Sequence, residues 1–183
     1  MNAQAITFPQ GNYNPAGVSE IYYGFKEDFA SFPILPEPDT AETYASLVEY
    51  PSAIVMLPTK RIWPLYCTLE EGQIKSTLVG PRDGKGYDNM IELSFPGNEA
   101  EFLGFQATAA NRELIFFVKE KNRKVRVLGD LENPAYMETA EGDSGKKISD
   151  GRKTVLTFKS SSGTPAPLYT IPLTSLLTTQ PAA

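Results

Sequence analysis

Two glycine–lysine stretches have the residue types for gripping a phosphate: Gly80-Pro81-Arg82-Asp83-Gly84-Lys85-Gly86 and Gly142-Asp143-Ser144-Gly145-Lys146-Lys147. A phosphate loop needs four residues between its glycines, a Ser or Thr after the lysine, and a strand-to-helix setting, so that loop amides and helix end bind the anion together. The first stretch has three intervening residues, the second has two, and neither has the hydroxyl. Both read better as hairpin loops. Glu141, Asp143 and Asp150 could join loop carbonyls around a calcium ion, but the D-x-[DN]-x-[DN]-G pattern is missing, and a solvated loop is the plainer reading.

Acids are numerous, yet spacing alone selects no glycosidase-like pair. Cys67 is the only cysteine, so neither an intrachain disulfide nor a cysteine cluster for a metal is expected. Histidine is absent, which removes the commonest general base, metal ligand and pH switch. Cys67 lies in an apolar run with no imidazole to activate it, so it reads as a small buried hydrophobe. Lys119, Lys121, Arg123, Lys124 and Arg126 crowd one predicted hairpin. Two or three of them can share a face and no aromatic residues interleave them, which favours a solvated hairpin over a nucleic-acid platform. The same charges would suit the acidic segment of a neighbouring copy. These residues lead to no enzyme, cofactor or metal.

The elements that must position such groups are mostly strands. With 183 residues, 41% hydrophobic and 21% charged, the chain has the make-up of a single folded domain with a real core. The net charge of −5 is unevenly spread: residues 1–60 hold seven acids against Lys26 and Lys60, and the remainder is balanced. An acidic N-terminal third is a poor grip for nucleic acid. No apolar run approaches the ~18 residues of a membrane-spanning helix, and Met1 to Phe8 lack the basic and apolar regions of a signal peptide.

Residues 1–17 read as an extended arm anchored by Phe8 and Tyr13. Val18 to Phe25 alternates as a strand, and Lys26 to Pro51 is a long, acidic, proline-rich loop. Thr40 to Glu49 within it suits either a short helix or a strand. Ser52–Leu57, Ile62–Leu69 and Gln73–Val79 are strand-like, with Glu70-Glu71-Gly72 expected to turn a hairpin between the last two and Pro64 pointing to an edge strand or bulge. Tyr87–Phe95 leads into the one predicted helix, about 98–111. There Asn98 is expected to cap the first turn, Glu101 to return the bond, and Phe102, Phe105 and Ala109 to form the apolar face.

Glu113–Glu120 and Lys124–Leu128 make a hairpin whose first strand is apolar enough to be central. Ala135–Ala140, Thr154–Lys159 and Leu168–Ile171 complete the strands, with a turn at Ile148–Arg152. The expectation is a mainly β chain, a sandwich or barrel of about ten short strands with one flanking helix. It spans 18–172 as one domain, carries an acidic loop at 26–51, and ends in a polar tail at 173–183.

Phe8, Tyr13, Phe29, Phe32, Ile34, Leu35, Leu173, Leu176 and Leu177 are more apolar than arm, loop and tail segments require. Either these segments fold back onto their own domain, or neighbouring subunits cover them. The nine residues are therefore the candidate subunit interface.

The order of elements resembles the tail-tube (major tail) proteins of tailed phages. The resemblance is carried by Tyr66–Gly72, Asp83-Gly84-Lys85, Phe95-Pro96-Gly97-Asn98, Leu103-Gly104-Phe105, Val125–Gly129 and Pro165-Ala166-Pro167-Leu168-Tyr169, and it covers roughly residues 60–171. These motifs are structural. The resemblance implies a non-enzymatic virion protein, assembled in the host cytoplasm as hexameric rings stacked into a tube. It would contact itself and other virion proteins and let DNA pass without tight binding. In that family arm, long loop and tail make the contacts between rings, and the acidic excess here suits an acidic lumen; the arm and 26–51 match nothing in it. A capsid decoration or head–tail connector protein, and a monomeric binding sandwich using Tyr22, Tyr44 and Trp63 as stacking surfaces, are the alternatives.

Overall fold

The computed structural model describes residues 3–8, 11–147 and 151–178. Ten strands form: β1 Val18–Phe25, β2 Phe29–Ser31, β3 Val55–Met56, β4 Trp63–Leu65, β5 Gln73–Val79, β6 Gly86–Pro96, β7 Leu114–Glu120, β8 Val125–Leu128, β9 Tyr136–Asp143 and β10 Lys153–Ser162. The helices are α1 Ala100–Ala109 and the single turn α2 Thr174–Leu177. One antiparallel sheet has the order β4-β1-β7-β8, a second β5-β6-β10-β9, and β2 pairs with β3 alone. The expected mainly β fold with one flanking helix is what the chain adopts.

The two large sheets face each other because their strands alternate. On β10, Leu156 and Phe158 point inward while Val155, Thr157 and Lys159 point out; on β6, Ile91 and Leu93 point inward. Ile21, Leu114, Phe116, Val118 and Leu128 meet them from the first sheet. The second face of that sheet is covered as well. Ile115, Phe117 and Val127 lie beneath Phe29, Tyr50, Ile54, Met56, Ile62, Tyr169 and Leu176, which come from the long loop, the segment around β3 that leads into β4, and the C-terminal segment. The first sheet is thus the middle of three layers, which is why β7 is apolar at consecutive positions.

The helix carries the chain from β6 to β7 and closes one side of the sandwich. Phe102 and Ala109 are buried, as the spacing predicts, and Phe102 stacks on Phe95. Its cap differs from expectation. Glu99 occupies the N-cap without a side-chain bond, and Asn98 instead accepts a hydrogen bond from Arg152 at 3.1 Å. Gly97 sits at φ +81° with its N–H donated to the Arg152 carbonyl, which orients Asn98 toward the β10 end and away from the helix.

Three further expectations are corrected. Glu70-Glu71-Gly72 does not close a hairpin, because β4 is the edge of one sheet and β5 the edge of the other, so the chain crosses the sandwich there. Leu168 forms only isolated bridges, to Glu49 and Arg126, since Pro165, Pro167 and Pro172 break the ladder. Leu173 to Thr178 is no polar tail, for α2 buries Leu176 to 1% exposure. Pro64 does lie on an edge strand, and β7 is interior to its sheet. Thr40–Glu49 contains one 3-10 turn, Ala45–Leu47. The turn expected at Ile148–Arg152 falls largely outside the described residues.

Candidate functional site

The nine candidate interface residues divide into two groups. Phe29 and Leu176 are buried, and Phe32, Leu35, Leu173 and Leu177 pack partly buried against the second core. An aromatic chain holds the loop down: Phe29 with Phe117 at 6.2 Å, Phe32 with Tyr50 at 6.0 Å, and Tyr50 with Tyr169 at 6.3 Å. These six side chains pack, wholly or in part, within their own chain. Phe8, Tyr13 and Ile34 remain 69%, 82% and 89% exposed. Ile6, which the sequence reading passed over, joins them at 87%; its position two residues before Phe8 in an extended arm was the available signal. The arm touches the loop through Gln4, which donates to the Glu42 carbonyl and accepts from the Tyr44 N–H.

A cavity of about 480 Å³ opens beside the β7–β8 hairpin. Its apolar wall is Val125, Leu168, Ile171, Leu173 and Leu177, and its polar groups include Glu20, Glu49, Lys119, Arg123 and Lys124. Lys119 donates to Glu20 at 2.7 Å and Tyr22 donates to the other Glu20 oxygen at 2.7 Å. The Lys119 bond first, then that from Tyr22, holds the Glu20 carboxyl below its ordinary range, and the same bond to Glu20 raises the Tyr22 phenol.

The hairpin's five cations are therefore not equivalent. Lys119 is paired with Glu20, and Lys121 lies 3.5 Å from Glu70. Arg126 is sunk between the sheets, where burial lowers its pKa. Arg123 and Lys124 are exposed and, among the described residues, have no carboxylate partner. Arg123 takes φ +70° at the tip, where Asn122 Oδ1 accepts from the Lys124 N–H at 2.9 Å. The cavity walls come from four distant segments, and so the sequence offered no spacing from which to find it.

The far end of β8 has the opposite charge. A second cavity of about 380 Å³ is lined by Phe32, Pro33, Ile34, Leu35, Tyr50, Asp130, Leu131 and Glu132. Asp130 Oδ1 accepts from the N–H groups of Glu132 and Asn133, which fixes this turn, and exposed Glu37 and Asp39 follow in the proline-rich loop.

No family model, curated protein or solved structure matches the chain. What the chain does must be read from its own groups.

Local contacts hold part of each glycine loop. Lys85 donates to the Gly80 carbonyl at 2.7 Å, and Gly80 at φ +96° leaves no room for a Cβ, which would fall 2.1 Å from the Gly84 carbonyl oxygen. Asp143 accepts from the Gly145 N–H at 2.9 Å, and Asp150 lies outside the described residues. Burial raises the Cys67 thiol and so suppresses the thiolate that nucleophilic attack requires. Trp63 carries the Arg61 guanidinium 3.8 Å above its ring, the Tyr22 hydroxyl donates to Glu20, and the Tyr44 backbone N–H donates to Gln4 Oε1.

Proposed function

We propose that this chain is a structural subunit that assembles with copies of itself, in the manner of a phage tail-tube protein, into rings stacked as a conduit for DNA. The reading rests on the arm, where Ile6, Phe8 and Tyr13 stand in water. Covering each large apolar side chain favours association by about 1.5–3 kcal/mol, and a second copy is the simplest cover. The resemblance carried by the motifs between residues 60 and 171 favours the tail-tube version over a capsid decoration or head–tail connector role. The arm and loop would then reach adjoining subunits, and the acidic N-terminal third would keep DNA from sticking to the conduit.

Negative-stain electron microscopy with light scattering tests this reading. Rings or tubes with a central hole are expected. A monomer at every protein and salt concentration overturns it in favour of a binding sandwich, and compact oligomers without a hole favour the decoration or connector role.

A further inference from the structure

We infer that the cationic cavity at the β7–β8 hairpin receives the acidic, proline-rich lip of a second copy, with Ile34 entering its apolar wall and Glu37 and Asp39 meeting Arg123 and Lys124. This deepens the self-assembly reading and rests on it. Three observations carry the assignment. The first is charge. The cavity is lined by Lys119, Arg123 and Lys124 against Glu20 and Glu49, and with Lys119 committed to Glu20 the exposed Arg123 and Lys124 are left to bind carboxylate. Glu37 and Asp39 are exposed and, among the described residues, have no cationic partner.

The second observation is shape and stiffness. Ile34 is 89% exposed on a segment whose base is anchored by Phe32 and Leu35 in the second core. Pro33, Pro36 and Pro38 limit the freedom of the chain around it, and the N–H groups of Thr40 and Ala41 both bond the Glu37 carbonyl. Such a segment loses little entropy on docking. Leu168, Ile171, Leu173 and Leu177 supply the matching apolar wall.

The third is placement. Arg123 and Lys124 precede β8, whereas Asp130, Leu131 and Glu132, which line the Ile34 cavity, follow it. Lip and pocket therefore lie at opposite ends of a strand about 13 Å long. A patch that meets a different patch on the next copy makes a head-to-tail contact, which closes into a ring or propagates as a filament.

Charge reversal on the full chain tests the pairing, since all four substituted side chains are exposed and the fold can be checked by circular dichroism. R123E/K124E and E37K/D39K should each raise the protein concentration needed for assembly by about tenfold or more, read by sedimentation velocity. An equimolar mixture of the two variants should bring that concentration back near wild type, because each pocket then meets an oppositely charged lip. Wild-type assembly by both variants overturns this inference and leaves self-assembly standing. So does a mixture that fails to recover, or a loss confined to R123E/K124E, which would give the pocket to an acidic segment of another protein. A wild-type chain that never assembles overturns the inference together with the reading beneath it.

Discussion

Arg126 of β8 donates from Nη2 to Ser76 Oγ of β5 at 2.9 Å, joining the edge of one sheet to the edge of the other. Its Nε donates to the Ala166 carbonyl at 3.1 Å, and the Ala166 N–H is held in turn by Asn89 Oδ1 at 2.8 Å. One partly buried guanidinium thus fastens the side of the sandwich where β5 and β8 run out, together with the turn after β10.

Arg126→Ala removes both donors and leaves the Ala166 carbonyl without its partner. The expected loss is about 1–3 kcal/mol, seen as a lower urea midpoint at unchanged slope. Arg126→Lys cannot fork to two acceptors, so it should recover only part of the loss. A change within about 0.5 kcal/mol for the alanine variant would show that the inter-sheet link is idle.

The helix is held by its rings. Phe102 stacks on Phe95 with centroids 3.8 Å apart and planes 5° from parallel, and Phe105 meets Tyr23 edge-on at 4.9 Å. Phe102 is 4% exposed, so Phe102→Ala should cost about 3–5 kcal/mol in chemical denaturation. Leu103, one position on, is 44% exposed, and Leu103→Ala should change stability by about 0.5 kcal/mol or less. Similar losses from the two would mean that the helix does not present the face described.

Asn98 marks where the sequence was read too locally. Asn-x-x-Glu before an apolar run suggests a capping box, worth about 1 kcal/mol. In the fold Asn98 turns to Arg152 and Glu99 takes the cap position without a side-chain bond. Asn98→Ala should therefore shift the thermal midpoint hardly at all, and a loss approaching 1 kcal/mol would restore the cap. Periodicity was the dependable signal: β1 and β5 match their expected bounds, and the unbroken apolar run of β7 did mark an interior strand. Turn chemistry was less complete. Glu70-Glu71-Gly72 says that the chain turns, and Glu70 does take φ +67°, but nothing local states which sheet the next strand joins.

The candidate interface failed to resolve from sequence for a related reason. Phe29, Phe32, Leu35 and Leu176 carry the same apolar signal as Phe8 and Ile34, yet they cover the second face of the β4-β1-β7-β8 sheet. That face exists only once strands from residues 18–25 and 114–128 have paired, so no short window contains it. The hairpin's cations were visible as a cluster, whereas their sorting into paired, buried and free depended on Glu20, Glu70 and Ser76 arriving from elsewhere in the chain.

The outer face of the other sheet carries an ion pair with a defined pH signature. Lys159 Nζ lies 2.8 Å from Asp88, and Ser161 donates to the same carboxylate at 2.7 Å. The Lys159 bond first, and the Ser161 bond next, hold the Asp88 carboxyl below its ordinary range, while Asp88 raises Lys159. A carboxyl whose pKa is depressed on folding adds stability above its unfolded pKa and loses that stability as pH falls through the folded value. A lysine raised on folding adds stability below its unfolded pKa and loses it as pH rises through the raised one. Asp88→Asn should therefore lower the melting temperature across the neutral plateau, and the gap from wild type should close as acid protonates Asp88. Melting curves of both proteins from acid to neutral pH check this. A gap that stays constant into acid would mean that Asp88 acts through packing rather than through its charge.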